Sequence, residues 1–322
     1  MRRVNAAGPH GRLTAGLLEP GPDMRSRSTR LQPGTLWPAI TRATAQAMVS
    51  GALWPIKTEQ EEIEDGGMRF LVRRMSGPTR KAEARAQRAG PHDPFLPYDR
   101  RLFVADVSHT HVALLNKFPV VDHHVLIVTR AFERQEALLN IGDFAALAAC
   151  MSQFEALGFY NGGPEAGASQ DHKHLQLVPL PLAPGQTHLP VQPLLRHGRR
   201  SGAVEPVPTL PFRHAWADLP AQLWAQLERA GELLRAVYRD LCSATGIEER
   251  EVRGARLQSG PYNLLVTREW MLLVPRLRER YACVSVNALG FAGSLFVEDP
   301  AQLERVRNEG PMHLLQEVTL PA

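Results

Sequence analysis

The sequence predicts an α+β fold, a class in which helices and antiparallel strands occur in separate runs. Short segments with alternating apolar residues predict strands, and segments with apolar residues three or four positions apart predict helices. The two kinds of segment do not alternate regularly, which argues against a parallel α/β sheet. With 322 residues, 44% of them hydrophobic, the chain can bury a full core as one large domain or two modest ones.

In the N-terminal half, the apolar pattern predicts a helix over Trp37–Ser50, which ends at Gly51 because glycine readily adopts the left-handed conformation beyond a helix. A second long helix is predicted over Asp143–Leu157, with Asp143 as its N-cap and Gly158 after its end. The other elements predicted here are a short helical piece over Lys81–Ala89 and strands over Met68–Arg74, Arg101–Val107, His111–Asn116 and His124–Thr129.

In the C-terminal half, the six prolines of residues 183–211 predict a long loop, because proline interrupts helices and sheets alike. A stripe of leucines and valine at helical spacing predicts a helix over Asp218–Ala244, with Gly246 beyond its end. The elements predicted after it are strands over Tyr262–Thr267, Trp270–Pro275, Ala282–Ala288 and Phe291–Glu298, and a short helix after Asp299-Pro300.

Composition divides the chain into three regions. Residues 1–35 are rich in Gly, Pro, Arg and Ser and predict a disordered extension, although an Arg-rich start is also typical of a transit peptide. Residues 36–210 contain the histidine motif described below and predict the catalytic half, and residues 211–322 predict a C-terminal half that completes the fold and the substrate pocket. The similar segments HVLIVTR and MLLVPR, one in each half, predict a duplicated half-domain in which only the first copy kept the chemistry.

The basic charge lies at the N-terminus. Residues 1–35 carry six arginines against two acidic residues, and their net charge of +4 equals that of the whole chain. The rest of the chain is therefore balanced overall, which disfavours a nucleic-acid-binding protein. No apolar run of about 18 residues or more predicts a membrane span. The three cysteines lie far apart in sequence, which disfavours a disulfide framework or a thiolate zinc site, and we expect a reduced, cytoplasmic location.

The segment YNGGPEAGASQDHKHLQLVPLP, residues 160–181, contains the residues best suited to chemistry. Side chains two residues apart along a strand share a face, so His172, His174 and Gln176 are expected on one face and Leu175 and Leu177 on the other. The small residues of NGG and GASQ allow backbone N–H groups to approach an anion closely. The pattern predicts a phosphate held beside a row of imidazoles.

Two other interpretations of the histidines remain open. Alternating histidines on a strand can chelate a metal ion, with His123 or His124 as a third ligand. They can also be polar core groups whose hydrogen bonds are satisfied inside the protein. The adjacent small-residue loop favours the phosphate site over both.

The motif GASQDHKHLQ resembles the signature of the diadenosine tetraphosphate phosphorylases, or ATP adenylyltransferases, in the transferase branch of the histidine-triad superfamily. The resemblance covers most of residues 36–300, and four further segments carry it: LWPAITRATAQAMVSGALWPIKTEQEEIEDGGMRFLVR, LLNKFPVVDHHVLIVTR, YNLLVTREWMLLVPR and NALGFAGSLFVED. It implies a histidine-triad-like fold. The family usually has a Pro-aromatic pair where this chain has Asp122-His123, which affects the wall of the pocket and not the chemistry.

The resemblance also implies roles for individual residues. His174 is expected to attack the α-phosphorus, His172 to orient the site, and Gln176 to bind phosphate oxygens, while His124 matches the upstream histidine of the superfamily. The substrate-binding positions that it implies are Lys81, Asn116, Lys117, Asn161, Gly167, Ala168, Ser169, Gln170, Gln176, Asn263 and Met271.

The function implied is phosphorolysis of diadenosine tetraphosphate to ATP and ADP through an adenylyl-histidine. The expected partners are a dinucleoside polyphosphate or adenine nucleotide and inorganic phosphate, with no nucleic acid and no membrane. No covalent cofactor or protein-bound metal is expected, and magnesium only as a companion of the nucleotide. An amide at position 176 does not titrate, which suits a leaving group that needs little protonation.

Three alternatives remain for the function. Adenylylsulfate phosphorolysis would use the same adenylyl-histidine. A hexose-1-phosphate uridylyltransferase typically has HPHxQ, whereas this chain has Lys173 in place of the proline. A nucleotide sensor without turnover would need no nucleophile, so the intact HKHLQ disfavours it.

Overall fold

The computed structural model describes residues 29–76, 93–195 and 204–322. Its strands are β1 Thr58–Asp65, β2 Met68–Met75, β3 Phe103–Asp106, β4 His111–Leu115, β5 Val125–Thr129, β6 Ala156–Gly162, β7 His174–Pro179, β8 Ala215–Asp218, β9 Glu249–Val252, β10 Ala255–Gln258, β11 Tyr262–Val266, β12 Trp270–Pro275, β13 Arg280–Tyr281, β14 Val284–Ser285 and β15 Ser294–Val297. Its α-helices are α1 Leu36–Val49, α2 Ile141–Met151, α3 Gln192–Leu195, α4 Leu227–Thr245, α5 Ala288–Phe291, α6 Pro300–Glu309 and α7 Pro311–Glu317.

Eight strands form one sheet in the order β3-β4-β5-β7-β6-β11-β12-β8, and every neighbouring pair is antiparallel. The two halves of the sequence meet between β6 and β11, where Asn161 lies opposite Asn263. A smaller sheet contains β1, β2 and β15. The predicted α+β class with an antiparallel sheet and flanking helices is confirmed. The duplication of a half-domain and the boundary at residues 210 and 211 stay predictions.

The large sheet separates two apolar layers. On one face, Leu175 and Leu177 of β7 pack with buried residues of helices α1, α2 and α4. On the other face, Val178 and Phe159 pack with the smaller sheet and the C-terminal helices. Because side chains alternate along a strand, His174 and Gln176 share the face of Val178, as the sequence pattern predicts.

Helix α2 differs from the prediction of a helix over Asp143–Leu157. Asn140 is its N-cap and accepts from the Asp143 amide at 3.1 Å, while the Asp143 carboxylate accepts from the Asn140 amide at 2.7 Å. Asp143 is therefore the second member of a capping box and not the cap itself. Gly158 lies within β6, where a Cβ would stand 2.9 Å from the Leu147 side chain, so this glycine makes room for α2 instead of ending it.

The predicted helix Asp218–Ala244 is wrong at its start. Residues 215–218 form β8, which pairs with β12 at the edge of the large sheet, and α4 begins at Leu227. The predicted end is confirmed, because Gly246 follows the helix with a φ of 75°. The pairing partner of β8 lies more than 50 residues away, and local periodicity does not record such a contact.

Two predicted strands near the C-terminus also differ. In place of a strand over Ala282–Ala288, only Val284–Ser285 is extended, and Asn287 begins α5 by accepting from the Leu289 amide at 3.0 Å. The strand predicted over Phe291–Glu298 is shortened to β15 because α5 occupies its first residue. The helix after Asp299-Pro300 is confirmed as α6, with Asp299 as N-cap.

Residues 29–35 correct the predicted disordered extension. Thr29 forms a bridge with Ser108, the Arg30 amide donates to the Val107 carbonyl at 2.8 Å, and Leu31 is buried in the core. Residues 1–28 and the helical piece predicted over Lys81–Ala89 lie outside the described residues. Among the helices within residues 29–76, 93–195 and 204–322, none is long and apolar enough to cross a membrane.

Candidate active site

His174 begins β7, and a backbone carbonyl determines its tautomer. Its Nδ1 donates to the carbonyl oxygen of His172 at 2.8 Å. Since a carbonyl only accepts, the ring proton lies on Nδ1 and the lone pair on Nε2. Within the described part of the chain, Nε2 has no hydrogen-bond partner. It is therefore available for nucleophilic attack.

Burial keeps this imidazole neutral. The residue is 4% exposed, and desolvation lowers the pKa of His174 to about 4, although the His172 carbonyl acts in the opposite direction. The ring of Phe95 lies beside it, with the centroids 5.3 Å apart. A neutral imidazole with a free lone pair is a competent nucleophile at neutral pH.

His172 is held by partners on both ring nitrogens. Nδ1 lies 2.8 Å from the Asp93 carboxylate, and Nε2 lies 2.8 Å from the carbonyl and 2.9 Å from the hydroxyl of Thr129. Because both nitrogens are engaged, this ring is not free to attack phosphorus or to bind a metal ion. Its position supports the orienting role expected for it.

Gln176 belongs to a chain of hydrogen bonds that starts at Asn116. The side-chain amide of Asn116 lies 3.1 Å from Nδ1 of His124, and Nε2 of His124 lies 3.0 Å from the carbonyl oxygen of the Gln176 side chain. Since Nδ1 of His124 accepts, its Nε2 donates, and the amide nitrogen of Gln176 is directed away from this contact. That nitrogen has no partner among the described residues, so it can donate to phosphate oxygens.

His123 faces away from the site. Its Nδ1 contacts the Thr44 hydroxyl at 3.0 Å, and its ring packs edge-on against Trp37 of α1. Of the two adjacent histidines, His124 is thus the one that reaches the histidine row. The choice of His124 over His123 agrees with this geometry.

Asn161 and Asn263 form a buried pair beside the row. The Asn263 amide nitrogen donates to the Asn161 side-chain oxygen and to the Ala166 carbonyl, both at 2.8 Å, and its own oxygen accepts from Arg276. With every polar group of its side chain occupied, Asn263 supports the loop that contains Ala166. The substrate contact expected of Asn263 stays a prediction; in this arrangement both of its amide protons are used within the protein.

The loop expected to bind an anion has only part of its amides free. Gly167 donates to the Pro164 carbonyl at 2.9 Å, and Ala168 donates to the Gly163 carbonyl at 3.1 Å. Within the described residues, the amides of Ser169 and Gln170 have no partner. Gly167 has a φ of 87°, and a Cβ there would meet Asn287 at 2.8 Å, which explains the glycine.

Three predicted binding residues remain: Lys117, Met271 and Lys81. Lys117 is half-buried directly after Asn116, with its ammonium group 5.7 Å from the centre of the Phe118 ring. Met271 is fully buried in the layer under α2 and α4, so its side chain lies on the opposite face of the sheet from His174, and its role in binding stays a prediction. Lys81 lies outside the described residues.

A largely buried cluster of polar side chains, centred on the ion pair of Lys173 and Asp143, lies behind the histidine row. The Lys173 ammonium is 2.7 Å from Asp143 and 2.9 Å from Glu133, and His111 is 3.0 Å from Asp143. Burial opposes ionisation of Asp143, but Lys173 and His111 outweigh it and hold the pKa of Asp143 well below its usual range. The cluster ties the backbone between His172 and His174 to the start of α2.

Residues that sequence reasoning missed surround the row. Asp93 and Thr129 bind His172, and Phe95 packs on the rings of both His172 and His174. Asp93 and Phe95 come from a polar, proline-rich segment with no marked periodicity, so the sequence contains no local signal for them. Within the described ranges, no group of three or more His, Cys, Asp or Glu side chains could hold a metal ion.

Comparison with known families identifies the class. A family model for the ATP adenylyltransferase C-terminal domain matches residues 208–321. A model for the Ap4A phosphorylase N-terminal domain matches residues 26–197. Together with the α+β fold and the histidine row on its antiparallel sheet, these matches define the protein as a nucleotidyltransferase.

Individual relatives specify the family. The diadenosine 5',5'''-P1,P4-tetraphosphate phosphorylase 2 of Saccharomyces cerevisiae is 31% identical over 242 residues, 67% of this chain and 72% of the relative. The protein APA1 of the same yeast is 26% identical over 299 residues, 85% of this chain and 90% of the relative. The crystal structure of yeast Ap4A phosphorylase Apa2 superposes with a TM-score of 0.72 at 25% identity, over 90% of this chain and 99% of that chain. The chain belongs to the Ap4A phosphorylase family.

Proposed function

We propose that this enzyme cleaves diadenosine tetraphosphate with inorganic phosphate to give ATP and ADP, with His174 as the nucleophile. The observation that carries the proposal is the state of one imidazole: neutral, protonated on Nδ1, and unpaired at Nε2 among the described residues. Family membership supports the substrate, since a relative with 31% identity is named for this phosphorolysis.

In the first step, Nε2 of His174 attacks the α-phosphorus of one adenylate. The new P–N bond forms as the P–O bond to the rest of the dinucleotide breaks, and ATP leaves with the bonding electron pair. The His172 carbonyl, which accepts from Nδ1, stabilises the positive charge that develops on the imidazole. The amide nitrogen of Gln176, oriented by His124, donates to a non-bridging phosphate oxygen.

In the second step, an oxygen of inorganic phosphate attacks the same phosphorus. The P–N bond breaks, ADP forms, and His174 returns to its neutral state. Lys117 and the free amides of Ser169 and Gln170 are the groups that we assign to holding the polyphosphate, because cations and backbone N–H groups stabilise phosphate charge.

We also propose the setting in which the enzyme works. Three free cysteines, two of them buried, support a reducing compartment such as the cytoplasm. Magnesium is proposed only as a companion of the nucleotide phosphates, which bind it through oxygen.

The test is a labelling experiment with diadenosine tetraphosphate that carries radioactive α-phosphorus. Without phosphate, the wild-type protein should acquire an acid-labile label on His174 and release ATP; added phosphate should then release labelled ADP. The His174→Ala variant should not be labelled and should lose several powers of ten in rate, about as much as loss of a catalytic nucleophile costs elsewhere.

The matched control is His123→Ala, which removes an imidazole that contacts Thr44 and Trp37 of α1 and should leave the rate within about twofold, because the contacts that it loses lie at α1 and not at the histidine row. Adenylylsulfate serves as a second substrate, because its cleavage would pass through the same intermediate. Normal turnover by His174→Ala, or a label at another residue, would contradict the proposal.

A further inference from the structure

Strand β7 loses one of its two neighbours at His174: the pairing with β5 continues there, with Val128 opposite His174, but the pairing with β6 does not. The β6–β7 ladder runs from Ala156 opposite Pro179 to Phe159 opposite Gln176 and stops there. If the register continued, Asn161 would lie opposite His174. Residues 133–135 run beside the segment before β7 instead: the Lys173 amide donates to the Glu133 carbonyl at 2.8 Å, and the Gln135 amide donates to the Asp171 carbonyl at 2.7 Å.

The side chain of Gln135 occupies the position where β6 and β7 separate. Its oxygen accepts from the His174 amide at 2.9 Å, and its nitrogen donates to the carbonyls of Asn161 at 2.8 Å and His174 at 3.3 Å. The residue is 1% exposed. One side-chain amide therefore binds both backbone polar groups of the nucleophile and connects them to Asn161.

We propose that Gln135 is a positioning residue that aligns His174 for attack by replacing the missing strand partner. In a regular sheet, a neighbouring backbone would hold the His174 peptide through two hydrogen bonds. Here a single side chain supplies both, so the direction of the imidazole depends on Gln135. The segment of residues 133–135 that carries Gln135 is itself held in place, because the Gln135 carbonyl accepts from the buried hydroxyl of Tyr160.

This role rests on the proposed function, because alignment matters only if His174 attacks phosphorus. Misplacement of a reacting group by about 1 Å can cost on the order of a hundredfold in rate. Loss of Gln135 is therefore expected to lower the rate of the chemical step and to leave substrate binding almost unchanged.

The test compares Gln135→Met with Gln153→Met. Methionine has a similar shape and makes none of the three hydrogen bonds. Gln153 is the matched control, since its side chain accepts from the Leu36 amide at 3.0 Å at the start of α1, in the helical layer on the face of the sheet opposite His174. We expect Gln135→Met to slow single-turnover adenylation by at least about tenfold with KM within about threefold, and Gln153→Met to leave both within about twofold.

A second variant, Gln135→Glu, provides a readout that a purely structural role would not change. Its carboxylate can still accept from the His174 amide, but when ionised it faces the carbonyl oxygens of Asn161 and His174 without a proton to donate. Protonation restores a donor. The adenylation rate of Gln135→Glu relative to wild type should therefore rise as the pH falls from about 8 to about 5.5, since burial raises the pKa of a carboxyl group.

Hydrogen exchange of the His174 amide completes the test, because it does not depend on activity. Exchange should accelerate by at least about tenfold in Gln135→Met, since the amide loses its partner while the fold remains. An unchanged amide exchange rate, or an adenylation rate within twofold of wild type, would overturn the role of Gln135. Wild-type protein that never becomes adenylylated would instead contradict the proposed function, and the exchange measurement would still decide whether Gln135 holds His174.

Discussion

The burial of a single imidazole determines how the reaction should depend on pH. Desolvation lowers the pKa of His174 to about 4, so the ring remains neutral well below neutral pH. Under the proposed mechanism, the rate of adenylation follows the neutral fraction of the His174 imidazole. It should be constant from about pH 7 to about pH 5 and decrease tenfold per unit below about pH 4.

Single-turnover rates across this range are the measurement. A decrease that begins near 6.5, the value of a solvated histidine, would contradict the buried environment.

The lowered pKa of His174 also affects the stability of the folded chain. Because the pKa of His174 is lower in the folded chain than in the unfolded one, the unfolded chain binds the proton more readily between about 4 and about 6.5. The free energy of unfolding therefore decreases as the pH falls through that interval, because proton binding favours the unfolded chain.

At the level of elements, the buried ion pair of Lys173 and Asp143 connects the strand that bears His174 to helix α2. Lys173→Met would leave Asp143 buried without its cationic partner, with His111 as its remaining side-chain partner, and should lower the free energy of unfolding by about 3–5 kcal/mol. Adding Asp143→Asn should restore part of this loss, since an amide keeps a hydrogen-bond acceptor for the Asn140 amide without the unpaired charge. Urea unfolding monitors both variants.

The control for this prediction is an exposed ion pair. Arg305 contacts Glu309 one helical turn away in α6, with both side chains partly in solvent, so Arg305→Met should cost under about 1 kcal/mol. Equal losses for Lys173→Met and Arg305→Met would show that the buried cluster does not hold the strand.

The elements also differ in how far the sequence predicts them. Strands β11 and β12 and helix α1 follow their apolar patterns within one residue, because each buries a face whose period is visible locally. Strand β8 and the start of α4 do not, since β8 is extended through its pairing with β12 and its bridge to Glu205, both distant in sequence or outside any apolar pattern. The acidic strand β1 has little apolar pattern and was missed; it is extended through its ladder with β2.

Across the whole molecule, one buried arginine connects the C-terminus to the site. Arg276 is 3% exposed and donates to the carbonyls of Val318, Val286 and Arg278 and to the Asn263 side chain. Through Asn263 it reaches the loop that contains Ala166. Arg276→Met should lower the free energy of unfolding by at least about 3 kcal/mol, because the buried Asn263 oxygen and the Val286 carbonyl lose the donor that Arg276 provides.

Arg278→Met is the matched control, since this neighbouring arginine is exposed and pairs with Glu317 at the surface; its loss should cost under about 1 kcal/mol. Urea unfolding again gives the comparison. A loss for Arg276→Met no larger than that for Arg278→Met would show that the buried network is dispensable.

The amino-acid sequence alone is enough to predict the class of fold, the family resemblance and the row of His172, His174 and Gln176. These predictions depend on patterns among residues close together in sequence. Alternate side chains of a strand share a face, whatever the position of that strand in the sheet. Which side chains contact this row follows from the tertiary structure alone. The contacts of Asp93, Gln135 and Arg276 join residues that are distant in sequence. The order of the strands likewise decides that Asn263 bonds to Arg276 and that Met271 lies in the helical layer. Hydrogen bonds between residues distant in sequence depend on the packing of the whole chain, which local periodicity does not encode.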